Sequence, residues 1–201
     1  MNAPLLTVRI RQEPDIVDAR QRARQIAREL GFDATEQTRI ATAVSEIARN
    51  AFLYAGGGSI DYGVEGAVAP QILIIRVSDK GPGIARLEDV LSGRYRSRSG
   101  MGLGIIGTRR LMDQFDIQST SKGTTITLKK ILPRRSVVAN RQELAALTDR
   151  LMRERPTGPI EEVQEQNREL LRALDELRGR QEDLERVNRE LEDTNRGVVA
   201  L

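Results

Sequence analysis

The sequence predicts an α+β fold: a layer of helices on one face of a mixed, largely antiparallel sheet, followed by a coiled coil. Three patterns carry that expectation. Between residues 14 and 56, apolar residues recur at helical spacing in two stretches. Five shorter stretches, 5–10, 59–64, 72–77, 116–119 and 124–131, have the apolar content or alternation of strands. From Ile160 onward a heptad register holds to the end. Strands with helices segregated to one face build a two-layer sandwich.

The elements follow in order. After the first strand, Pro14-Asp15 opens a helix in which Ile16, Ala19, Ala23, Ile26, Ala27 and Leu30 share one face, and Gly31 stops it. Asp33 with Glu36 three residues on resembles a capping box for the second helix. That helix buries Ile40, Val44, Ile47 and Ala48 and ends near Gly56-Gly57-Gly58. Residues 72–77 form a nearly continuous apolar run, the mark of a central strand covered on at least one face. Residues 81–104, rich in Gly, Ser and Arg, are expected to be one long irregular segment of the kind that serves as a functional lid. A helix from 103 to about 115 leads into two strands joined by a turn at Lys122-Gly123.

Composition narrows the function. Aromatic residues make up only 3% of the chain, so Ile, Leu, Val and Ala must build the core. The net charge is +3 with acids and bases intermixed, which does not give the segregated basic stripe that nucleic acid requires. Cysteine is absent, excluding disulfides and thiolate metal sites, and histidine is absent, excluding a phospho-accepting histidine within these residues. Without a signal-peptide pattern or a long apolar run, the expectation is a soluble cytoplasmic protein with no membrane segment.

Three motifs point to a nucleotide site. Glu46 and Asn50 lie four apart on a helix, so both side chains leave the same face. An Asn amide oxygen suits Mg²⁺, which keeps waters and shares substrate phosphates; a Glu one turn away can take a proton from a nucleophilic hydroxyl. Alone, such a pair is an ordinary exposed polar face. Asp79 ends the apolar strand and precedes Gly81-Pro82-Gly83. A carboxylate fixed there can accept from the exocyclic amine of adenine, and the glycines admit a flat base; alone, it is an Asp-x-Gly turn. Gly100, Gly102 and Gly104 run into a helix whose free N–H groups can cradle phosphates, with Arg94, Arg96 and Arg98 just before them. Alone, that stretch is a hinge. It matches neither the Rossmann fingerprint nor a Walker A sequence.

In this order the motifs resemble the boxes of the GHKL ATPase superfamily, which includes gyrase, chaperone, histidine kinase and MutL ATPase domains. Thr42-Ala43-Val44-Ser45-Glu46-Ile47-Ala48-Arg49-Asn50-Ala51 is similar to its N box, residues 79–83 to its G1 box, residues 100–104 to its G2 box, and Gly123-Thr124-Thr125 to its last box. Within the superfamily, Ser-Glu-Ile-Ala-Arg-Asn at 45–50 and the stretch from Gly102 to Phe115 most resemble the anti-sigma-factor serine/threonine kinases of the RsbT switch-kinase type.

The resemblance implies the following roles. ATP and Mg²⁺ are bound; Asn50 holds the metal, Glu46 is the catalytic base and Asp79 reads the adenine amine. Gly81 and Gly83 shape the base pocket, Gly100, Gly102 and Gly104 wrap the phosphates, and Thr124 holds the adenine-site water. The γ-phosphate goes to Ser or Thr of a STAS-domain anti-sigma antagonist in a partner-switching stress pathway. Two other functions fit the residues: an ATP-binding sensor that regulates a fused or separate downstream signalling effector without catalysis, and a histidine-kinase catalytic domain whose acceptor lies elsewhere.

The expected divisions are an ATP-binding kinase domain at 5–132, a linker with a short helix at 133–159, and a parallel coiled coil at 160–201. In the last, Ile160, Asn167, Leu174, Gln181, Asn188 and Asn195 fall at a, and Val163, Leu170, Leu177, Leu184, Leu191 and Val198 at d. Asn at a favours two parallel strands in register, because the amides pair only when like positions face each other. A homodimer is expected.

Overall fold

Pro14 opens the first helix as its fixed φ predicts. The computed structural model of the chain, which describes residues 2–85, 87–91, 104–133, 141–153 and 181, has α1 at Pro14–Glu29. The Asp15 carboxylate steadies the entry by accepting from the backbone N–H groups of Arg11 (2.7 Å) and Gln12 (3.0 Å). The predicted stripe from Ile16 to Ala27 is buried. Asp33 caps α2 (Ala34–Ala55), accepting from the Glu36 N–H at 2.8 Å. Only this half of the expected capping box forms, because the Glu36 carboxylate pairs with Arg39 (2.8 Å) and with Lys130 instead. Gly56 closes the helix in the left-handed conformation (φ 72°), where a side chain would be strained.

The chain divides into two units, Met1–Pro156 and Thr157–Leu201. All described residues but 181 belong to the first; the heptads apart from Gln181, like Gly100 and Gly102, lie outside the described residues. Its sheet comprises β1 (Asn2–Ile10), β2 (Gly58–Glu65), β3 (Ile72–Ser78), β4 (Gln114–Thr120) and β5 (Gly123–Ile131), in the order β1-β2-β3-β5-β4. Every pairing among them is antiparallel. The mixed sheet expected from sequence is therefore corrected: both hairpins and the return through α1 and α2 reverse the chain direction, and β4, which runs in the direction of β3, is separated from it by β5.

Alternation puts Ile60, Tyr62, Val64, Leu73, Ile75, Val77, Ile126 and Leu128 in one core with the helices. Fully burying an Ile or Leu of this kind contributes about 1.5–3 kcal/mol. Tyr62 brings a polar tip into that core and satisfies it by donating to the Ala19 carbonyl of α1 at 3.0 Å. Burial pushes its phenol far above the usual tyrosine range. Lys130 is the charged exception on the same face, 8% exposed. Burial pushes its ammonium pKa down, but the bonds to Glu36 and Asp113 and their charges outweigh that and hold it above the ordinary lysine value. The Asp113 contact is 3.0 Å. This group ties the start of α2 to the turn before β4.

Three boundaries differ from expectation. Residues 81–104 are not irregular throughout, since α3 (Leu87–Leu91) lies among them. The helix expected to reach residue 115 ends sooner, as α4 (Gly104–Leu111), and β4 begins at Gln114. Asp113 breaks the helix there: its N–H donates to the Lys129 carbonyl (3.1 Å) and its carboxylate accepts from the Ile131 N–H (2.8 Å), both on β5. Phe115 then faces the core from a strand, paired opposite Leu128.

Residues 133–159, expected as a linker with a short helix, hold such a helix, and it belongs to the core. In α5 (Arg141–Arg153), Leu144, Leu147 and Leu151 are buried in the same cluster as the sheet. The helix packs along edge strand β1. An Arg22 N–H donates to the Leu151 carbonyl at 2.6 Å, and Arg150 pairs with Glu29 at 3.2 Å, joining α5 to α1. Covering an edge strand in this way removes a row of unpaired backbone groups from contact with other chains.

Candidate nucleotide-binding site

The sheet order creates the site. The chain leaves the end of central strand β3, travels through α3 and α4 to the far edge as β4, and returns as β5 beside β3. Ser78 consequently faces Thr125 in register, and the first residues of β5 adjoin Asp79. The Asp79 N–H donates to the Thr124 carbonyl at 2.9 Å.

Asp79 is half-buried and fixed through one carboxylate oxygen. Its Oδ1 accepts from the Gly81 N–H (2.9 Å) and from the Thr124 N–H (3.1 Å). The first bond alone makes the Asp-x-Gly turn; the second arrives from a residue 45 positions away and no local turn supplies it. Oδ2 makes no hydrogen bond among the described residues, so it is the oxygen available to a ligand. Backbone is packed tightly around this carboxylate. A Cβ on Gly123 (φ 141°) would strike the Asp79 carbonyl oxygen, and one on Gly83 (φ 76°) would strike that of Thr120. At Gly81 a Cβ would meet Ala55 in the last turn of α2. Three glycines thus let the loop, the β4–β5 hairpin and the end of α2 converge.

On α2, Glu46 and Asn50 are both half-buried, and neither side chain makes a hydrogen bond among the described residues. Ser45 beside them is buried and turned inward, donating to the Thr42 carbonyl at 3.0 Å. α4 packs against α2 and begins at Gly104, which has φ 59° and open space where a side chain would stand. Thr108 fastens that first turn, donating from Oγ1 to the Gly104 carbonyl at 2.9 Å. The structure therefore gathers Asp79, Gly81, Gly83 and Thr124 into one knot against the end of α2. It sets Gly104 on a helix adjoining the one that carries Glu46 and Asn50.

A family profile, the histidine kinase-like ATPase domain, matches residues 10–130. The chain belongs to that family. It is also 44% identical over 126 residues to the serine/threonine-protein kinase RsbT of Bacillus subtilis (strain 168), covering 62% of this chain and 95% of RsbT. Its type within the family is thus RsbT-like. Two solved structures show weaker likeness. The RsbU and RsbW domains of a Mycobacterium tuberculosis protein give a TM-score of 0.46 at 19% identity, covering 66% of this chain and 34% of that one. The SiaB–SiaC complex of Pseudomonas aeruginosa gives 0.43 at 9%, covering 64% and 91%. Neither likeness bears on the chemistry.

A domain of this family binds ATP. The knot around Asp79 offers a carboxylate with one oxygen held by the Gly81 and Thr124 N–H groups and the other without a hydrogen bond among the described residues. Among the described residues no group of three or more His, Cys, Asp or Glu could cage a metal. A single amide such as Asn50 suits a cation that takes its other ligands from phosphate and water.

Two contributors to the site were not singled out from sequence, Ala55 and Ser119. Ser119 was hidden because the turn falls one residue earlier than the expected Lys122-Gly123. A two-residue turn at Ser121-Lys122 pairs Thr120 with Gly123, and therefore Ser119 with Thr124.

Proposed function

We propose that the chain is a serine/threonine protein kinase that transfers the γ-phosphate of ATP to a Ser or Thr of a STAS-domain antagonist in a partner-switching pathway. The observation that carries this reading is the match to nearly the whole length of a serine/threonine kinase at 44% identity. In this reading Asp79 Oδ2 accepts from the adenine amine, while Gly81, Gly83 and Thr124 complete the base pocket. Gly100, Gly102 and Gly104 supply backbone N–H groups to the phosphates. Glu46 takes the proton of the acceptor hydroxyl as its oxygen bonds to the γ-phosphorus and ADP departs. Asn50 holds Mg²⁺, which supplies charge neutralisation on the phosphate oxygens when bound.

The test is incubation with γ-labelled ATP and a purified STAS-domain protein from the same source. Label on a Ser or Thr of that protein supports the kinase. ATP binding without transfer to any STAS partner supports a sensor that regulates an effector through ATP alone.

The proposal extends to assembly and setting. The kinase domain is placed at 5–132 with α5 packed onto it, and 160–201 as a parallel two-stranded coil making a homodimer. With Arg180 at g and Glu185 at e, the partner strands gain one attractive pair, worth little alone. Sedimentation of the full chain should give a dimer, and truncation after Arg153 a monomer or weaker dimer. A full chain that stays monomeric at tens of micromolar overturns the assembly. No helix among the described residues is long and apolar enough to cross a membrane, and a cytoplasmic setting goes with ATP as substrate.

A further inference from the structure

We propose that Ser119 is a positioning residue for nucleotide recognition: its hydroxyl locks the loop after Asp79 to the β4–β5 hairpin and so sets where the base-reading carboxylate points. The proposal rests on the reading of Asp79 and Thr124 as the base pocket and adds a residue that lies outside all four sequence boxes.

The Ser119 hydroxyl joins the far end of the loop to the hairpin, whereas the near end is held through Asp79 and Thr124. Its Oγ accepts from the Ile84 N–H at 2.7 Å and shares a hydrogen bond with Thr124 Oγ1 at 3.0 Å. Ile84 lies just beyond Gly83, at the far end of the loop from Asp79. Thr124 in turn donates its N–H to Asp79 Oδ1. A closed circuit results, running from Ser119 to Ile84, back along the loop to Asp79, across to Thr124 and home to Ser119.

Every arm of the circuit is short and carries little slack. A Cβ placed on Gly83 would strike the Thr120 carbonyl and come within 3.1 Å of Ser119 Oγ, so no side chain fits there. Gly123 is equally tight against Asp79. Backbone this close is held in place only while its polar groups are paired. The Ile84 N–H is half-buried and has Ser119 as its acceptor. Removing that acceptor leaves the N–H to seek water, and the least disruptive way is for the loop to lift off the hairpin. Asp79 sits at the root of the loop and turns with it. The Ser119–Thr124 bond acts on the same point from the other side, fixing the Thr124 rotamer beneath the carboxylate.

Ser119 touches no base itself in this scheme. Its effect is on aim, and aim governs selectivity more than general affinity. A carboxylate displaced by a fraction of an ångström loses the directional bond to an amine while the surrounding apolar contacts with the base persist.

The test uses the full chain and two variants, Ser119→Ala and Ser119→Thr. In the ligand-free Ser119→Ala chain, amide exchange at Ile84 and Thr124 should quicken about tenfold, with the β2–β3 amides unchanged. ATP affinity should fall roughly three- to tenfold, and the ATP-over-GTP preference should shrink with it, as expected for the loss of one to two hydrogen bonds. Ser119→Thr keeps the hydroxyl, suits a strand position, and should restore both. Unchanged exchange at Ile84 and Thr124 overturns the proposal whatever the nucleotide data show. So does an Ala variant that binds ATP more weakly at an unaltered ATP-to-GTP ratio, since that is general loosening. A wild-type chain that binds no ATP fails differently: it removes the nucleotide reading itself and the role of Ser119 with it.

Discussion

Asn50→Ala is expected to cut phosphoryl transfer by on the order of 100- to 1000-fold while leaving the fold intact. Two features of α2 make the fold insensitive. The Asn50 side chain makes no hydrogen bond among the described residues, so truncation leaves no described partner stranded. Ala is also the better helix former, by about 0.5 kcal/mol at a mid-helix position. The rate should suffer for the opposite reason. Transfer of a phosphoryl group depends almost wholly on positioning and on neutralising charge that builds on its oxygens. In the proposed reading Asn50, half-buried one turn from Glu46 on a helix packed against the one that begins at Gly104, supplies that neutralisation through the metal it holds. Single-turnover transfer from labelled ATP, beside a thermal melt, separates the two effects. A variant that melts like wild type and transfers within a few-fold of its rate overturns the assignment.

Local chemistry made some of this legible in the sequence and non-local chemistry hid the rest. α1 and α2 were readable because Ile16, Ala19, Ala23 and Ile26, then Ile40, Val44 and Ile47, repeat at helical spacing between clear stops. β3 was readable as a continuous apolar run. The end of α4 was not, since Leu111, Met112 and Phe115 continue a helical spacing, and what breaks it is Asp113 bonding to β5. The short helix within 133–159 was legible, but not the edge strand β1 along which it packs or the core that Leu144, Leu147 and Leu151 join. The capping box failed on a competitor the sequence does not advertise, Lys130, nearly a hundred residues later. At the site the pattern held and failed along the same line. Asp79 with Gly81 and Gly83 announced a turn, whereas the bond from Thr124 that distinguishes it from other turns depends on β5 returning beside β3.

Asp79→Asn is expected to erase the preference for ATP over GTP, a change of roughly 1–3 kcal/mol, or about 5- to 150-fold in the affinity ratio. The geometry fixes the direction. Oδ1 already accepts from Gly81 and Thr124, so an asparagine at 79 must keep its carbonyl oxygen there to satisfy both N–H groups. Its NH₂ then replaces Oδ2, turning an acceptor into a donor at the position that meets the base. Adenine presents an amine at that edge, and donor would face donor. Guanine presents a carbonyl, which the amide satisfies. ATP binding therefore weakens while GTP binding strengthens. Asp79→Ala should behave differently, losing both anchors of the loop along with the acceptor. Its binding of either nucleotide should fall and its stability drop by about 1–3 kcal/mol, because two N–H groups lose their acceptor. Calorimetric titration of the wild type and both variants with the two nucleotides resolves these outcomes. Equal affinity of the wild type for ATP and GTP, or an asparagine variant that keeps the wild-type ratio, removes Asp79 from base recognition.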